Sequence, residues 1–118
     1  MIFGKSVRYA VRGISYTYAH ERNFRIQFFV GILVVALSFL LQMKSYEKII
    51  LAMMIAFVLV LELLNTTIEM FLDLLKPRLS PQVELVKDIM AGAVLLASIG
   101  SLIVGCIVFI PYIIELIW

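Results

Sequence analysis

Glu62, Asn65, Glu69 and Asp73 stand in the segment ELLNTTIEMFLD, directly after an apolar run from Ile49 to Leu61. On a helix turning roughly 100° per residue, the four fall within about an 80° sector, with Thr66 beside them. A carboxylate facing acyl chains costs on the order of 2.5–3.5 kcal/mol at mid-bilayer and less near the interface. This stripe must therefore face protein, metal or water. Clustered carboxylates also repel one another unless cations neutralise them. Three sources of positive charge are at hand: a divalent metal, Lys87, and the arginines of the N-terminal segment. Hard oxygen donors of this kind suit Mg²⁺, which commonly takes one or two carboxylates together with phosphate oxygens.

A second polar cluster lies in VELVKDIMAGAV, where Glu84, Lys87, Asp88 and Ala91 share one helical face. Alone, Lys87 and Asp88 read as a solvated helix end. Opposite three acids, Lys87 reads as a phosphate-binding cation and Asp88 as its polar neighbour. Glu21, in His20-Glu-Arg-Asn-Phe-Arg25, adds a further acid, which alone reads as an interfacial residue. His20 is the only histidine, read as an interfacial hydrogen-bonding group. The sequence contains no P-loop, protein-kinase glycine loop, nucleophile elbow or HExxH motif.

The elements that must position these residues follow from composition. The 118-residue chain is 64% hydrophobic, with a mean hydropathy of +1.09, against roughly 45–50% apolar in soluble domains. A soluble core of this size could not hide so much apolar surface, so a bilayer must act as solvent. The single cysteine, Cys106, lies in an apolar run and excludes a disulfide framework. Net charge is only +2, which gives nucleic-acid binding no support. No cleavable leader is expected in the first 25 residues, which carry five Lys/Arg and no continuous apolar stretch.

The reading is one all-α integral membrane domain over residues 1–118. Three segments meet the length of about 20 apolar residues per crossing: 24–43, 46–75 with a cytoplasmic extension, and 83–115, with a loop at 76–82. Residues 46–75 as one helix would reach about 45 Å, longer than a ~30 Å hydrocarbon core, so ELLNTTIEMFLD should stand at headgroup level. Residues 1–22 form a surface helix. Phe3, Val7, Ala10, Val11, Ile14 and Tyr18 recur at helical spacing, and Lys5, Arg8, Arg12 and Ser15 fall opposite.

Eight basic residues flank span one on its N-terminal side or lie between spans two and three, whereas Lys44 and Lys48 lie on the other side. The positive-inside rule then puts the N-terminus in the cytoplasm and the C-terminus outside. Ala93, Ala97, Ser101 and Gly105 recur every fourth residue, a ladder that lets helices approach closely, within the chain or between copies.

The spacing Glu62-x-x-Asn65-Thr66-x-x-Glu69-x-x-x-Asp73, joined to Lys87-Asp88-x-x-Ala-Gly-Ala-Val94, resembles the bacterial diacylglycerol kinase/undecaprenol kinase family. GISYTYAHERNFRI, residues 13–26, is similar to that family's junction between surface helix and first span. The resemblance covers essentially the whole chain. It implies a homotrimeric bundle in the bacterial plasma membrane, with composite sites between subunits. The implied activity moves the γ-phosphate of ATP, with Mg²⁺, to a lipid alcohol at the cytoplasmic interface.

By this resemblance Glu62 is the general base, Glu21 and Glu69 are metal ligands, and Lys5, Asn65, Lys87 and Asp88 contact nucleotide. Asp73, Arg12 and Thr66 match supporting positions. Ile2, Gln27 and Glu84 depart from the family pattern, and the AGAV variant with ERNFRI is closer to the branch acting on undecaprenol. Diacylglycerol is the alternative acceptor. A small transporter or channel using the acids as a relay is the reading from another class. It would favour an essential acid near the midplane, whereas these acids cluster at one end.

Overall fold

The protein is described here by a computed structural model, which describes residues 2–75 and 80–118. Lys76, Pro77 and Arg78, expected in the cytoplasmic loop, lie outside those residues. Four helices account for nearly everything else: α1 (Ile2–His20), α2 (Arg22–Leu40), α3 (Ser45–Leu75) and α4 (Pro81–Ile117). The last three are long and apolar enough to cross a membrane. Large apolar side chains on all three remain exposed, among them Phe29, Leu33, Phe57, Leu96 and Ile107. Such surface has lipid, not water, as its natural solvent.

α3 is the centre of the bundle. It packs most extensively on α4 and then on α2, whereas α1 meets only α2 and α3. Its buried residues, Leu51, Val58, Glu62 and Thr66, occupy one face. Packing is close where side chains are small. A Cβ placed on Gly31 would lie 2.8 Å from Ile55 Cγ2 of α3. On α4, Ala97 is buried, while Ser101 and Gly105 of the same ladder line an apolar groove between α2 and α4, of about 480 Å³. Val58 and Gly31 belong to the same groove.

The helix ends have specific chemical causes. α2 stops at Leu40 rather than continuing to Met43, because Gln42 adopts a left-handed conformation at φ 52°. The Gln42 amide then donates to the Phe39 carbonyl and the Met43 amide to that of Ser38, at 3.1 Å each. This is the two-bond Schellman arrangement, with a glutamine where glycine is usual and with Met43 buried beneath it. α4 begins at Pro81, which sequence reading placed in the loop. Its missing N–H costs nothing at the first helical position, and Ser80 caps the helix by accepting from the Val83 amide at 3.3 Å.

At the opposite end of the bundle from ELLNTTIEMFLD, the Tyr112 hydroxyl of α4 donates to the Glu47 carboxylate of α3. The Lys44 amide donates to the same carboxylate at 3.1 Å and approaches the Tyr112 oxygen at 3.4 Å. Lys48 extends over the ring of Phe39, 4.4 Å from its centroid. A polar clasp therefore joins the α2–α3 turn to the last turns of α4.

Candidate active site

Glu62 is only 5% exposed, on the face of α3 that looks into the bundle. Two further acids act on it through their charge. The carboxylates of Glu21 and Glu69 lie close enough for their charges to act on that of Glu62. Glu69 arrives by simple helix geometry, seven residues along α3. Glu21 arrives through the break between α1 and α2, and that break is built deliberately.

Glu21 is extended (φ −114°, ψ 111°), and its carboxylate does not cap α2. Its amide donates to the Thr17 carbonyl at 2.8 Å, and its own carbonyl accepts from the Arg25 amide at 3.2 Å. The Arg25 guanidinium folds back over the end of α1, donating to the carbonyls of Tyr18 at 2.8 Å and Ala19 at 3.1 Å. These are carbonyls that a helix terminus leaves without partners, and a cation there also complements the helix dipole. Thr17 and Phe24, either side of the break, are buried. Sequence reading counted Arg25 only as a basic flank. Bonds reaching back six and seven residues across a helix break leave no periodic signal.

Asn65 and Thr66 complete the inner face. The Thr66 hydroxyl donates to the Glu62 carbonyl at 3.1 Å, so its proton is committed to the backbone. Asn65 Oδ1 is buried without a hydrogen-bond partner among the described residues. A buried acceptor left open costs about 1–3 kcal/mol; among the described residues Ser101 Oγ of α4 shares this state, but Asn65 alone of the two stands beside the acids.

Lys87 of α4 forms an ion pair with Asp73 of α3, Nζ to Oδ1 2.9 Å. It is the only ion pair among the described residues. Glu69 and Glu84 also lie within reach of the Lys87 charge. Asp88 is exposed and lines a shallow depression with Ser80, Pro81 and Glu84. Lys5 and Arg12 are not gathered with the acids. Both are exposed, and along α1 they stand about 24 and 14 Å from Glu21 at 1.5 Å per residue.

Among the described residues no group of three or more His, Cys, Asp or Glu converges to hold a metal. The described residues therefore offer no closed, all-protein metal cage. Glu21 and Glu69 nevertheless provide hard oxygen donors beside Glu62. One or two carboxylates are what Mg²⁺ commonly takes when phosphate oxygens and water complete its shell.

A helical membrane protein with a buried glutamate, two flanking acids and a cation at one end of the bundle is a class defined by its site. Its family follows from comparison. Residues 8–109 match prokaryotic diacylglycerol kinase, and the chain belongs to that family. It is 40% identical over 112 residues to a diacylglycerol kinase of Synechocystis, covering 94% of this chain and 64% of that protein. It is also 37% identical over 109 residues to the undecaprenol kinase of Bacillus subtilis, covering 92% of this chain and 89% of that protein.

Proposed function

We propose that the protein is a lipid kinase that transfers the γ-phosphate of ATP to undecaprenol, giving undecaprenyl phosphate, at the cytoplasmic face of a bacterial plasma membrane. The carrying observation is buried Glu62, flanked by Glu21 and Glu69, with Lys87 reaching over from α4. Phosphoryl transfer asks for positioning and charge neutralisation more than for covalent chemistry. The Glu62 carboxylate takes the proton of the lipid hydroxyl as its oxygen bonds to the γ-phosphorus, and the bond from phosphorus to the β–γ bridging oxygen breaks to release ADP. Asn65 offers its open Oδ1 to the bound ligands, and Lys87 and Asp88 contact the nucleotide. Glu21 and Glu69 would hold Mg²⁺, which supplies positive charge to the phosphates when bound.

The apolar groove below Glu62 supports a lipid acceptor, since Val58, one turn from Glu62, forms part of its wall. Undecaprenol is favoured over diacylglycerol by the AGAV and ERNFRI segments, which resemble the undecaprenol branch, and the Bacillus undecaprenol kinase is 37% identical to this chain. The identity to the Synechocystis diacylglycerol kinase keeps diacylglycerol as the second reading. The exposed apolar face of α1, including Phe3, Val7, Val11 and Ile14, fits a helix lying in the interface with Lys5, Arg8 and Arg12 toward water. The N-terminus is then cytoplasmic and the C-terminus outside. Lys5 and Arg12 make no ion pair among the described residues, and the family resemblance supports a homotrimer in which they complete sites shared between subunits.

The test is phosphorylation in mixed micelles with MgATP and each lipid in parallel. Faster transfer to undecaprenol is expected. Faster transfer to diacylglycerol overturns the lipid assignment, and failure with both, in folded protein, overturns the kinase reading.

A further inference from the structure

The Lys87–Asp73 pair joins the end of α3 to the start of α4 across a described separation of 14 residues. Its side chains are 26% and 65% exposed, respectively. An exposed pair contributes little to folding, and Asp73 is one helical turn beyond Glu69, on the same face of α3. An ammonium has three donors. One bond to Asp73 leaves two, held on the side of α4 that faces Glu69 rather than sweeping through water on a flexible stem. From the 2.9 Å contact, we propose that Asp73 is a positioning residue: it tethers Lys87 over the acidic face of α3 so that the ammonium meets the nucleotide phosphates already oriented.

The inference rests on the kinase reading and gives Asp73 a role within that site. A competing inhibitor of Lys87 would have the opposite effect, because removing it would free the cation and tighten nucleotide binding. The tether predicts weaker binding on removal.

The experiment measures MgATP affinity by equilibrium titration, alongside KM and kcat, on the full chain in detergent. Asp73→Asn is expected to raise both Kd and KM for MgATP by about fivefold, the scale of a lost exposed pair, with a smaller change in kcat. Asp73→Glu, which keeps the carboxylate, is expected to recover most of the affinity. Asp73→Asn combined with Lys87→Met should bind no more weakly than Lys87→Met alone, because both changes remove one interaction. Wild-type or tighter affinity in Asp73→Asn, beside weakened Lys87→Met, overturns the tether while leaving the kinase reading intact. So does additivity in the double variant. A thermal unfolding midpoint lowered by Asp73→Asn with MgATP affinity unmoved marks a purely structural pair and overturns it too. Wild-type protein that binds no MgATP and phosphorylates neither lipid overturns the functional reading itself.

Discussion

At the scale of single residues, the site separates acids by environment. Glu62 is buried on the inner face of α3, whereas Glu69 is half-buried and Asp73 exposed. A base acts in the chemical step and contributes little to ground-state binding. Glu62→Gln is therefore expected to lower kcat by at least about a hundredfold while MgATP titration stays near wild type. Turnover close to wild type in that variant would remove Glu62 from the role. Asn65 gives a second prediction at this scale. Asn65→Leu removes an acceptor already without a partner, so it should leave thermal stability unchanged or raised while weakening ligand binding, as measured by MgATP titration. The stripe that carries these residues was legible from spacing alone, because helical periodicity fixes which side chains share a face. The partnership of Lys87 with Asp73 was not, since it depends on how two helices meet across the loop.

At the scale of elements, the apolar runs announced the three long helices, but their ends depended on conformations with weaker sequence signals. Gln42 holds a left-handed φ of 52°, which costs a non-glycine residue roughly 1–2 kcal/mol. Without a glycine there, nothing marked Leu40 as the end of α2. Gln42→Gly is expected to stabilise the protein by up to about 1 kcal/mol, seen as a higher unfolding midpoint in detergent. Gly31 carries the opposite expectation. Its substitution by alanine drives a methyl group toward Ile55 Cγ2 and should cost about 1–3 kcal/mol through overpacking. Ile55→Ala in the same chain should recover part of that loss, and an unchanged midpoint in Gly31→Ala would contradict the close approach of α2 and α3. Pro81 also escaped sequence reading as a helix starter, because a proline in a polar connection serves a turn and a first helical turn equally well.

At the scale of the whole molecule, one chain brings Glu21 and Glu69 within electrostatic range of Glu62 without converging the three on one point, while Lys5 and Arg12 stand along α1. Composition identified a membrane protein, since so apolar a chain has no aqueous solution to its burial problem. The expectation of a homotrimer came only from family resemblance, because assembly depends on surfaces that meet other copies. If sites are shared, co-purified mixtures of Glu62→Gln and Lys5→Ala chains, each nearly inactive alone, should regain activity measurable above either parent. No recovery in verified mixed assemblies would confine the site to a single chain.

The clasp of Tyr112, Glu47 and Lys44 ties α4 to the α2–α3 turn at the end of the bundle remote from Glu62. α3 and α4 already pack on one another more extensively than any other pair of helices, and the clasp adds a polar stop at the far end of that seam. Lys87 and Asp73 close the other end of the same seam, so it carries a polar contact at each end and apolar packing between. Tyr112→Phe removes the stop at one end alone, so its expected effect is a lower unfolding midpoint in detergent, with the Lys87–Asp73 end left in place.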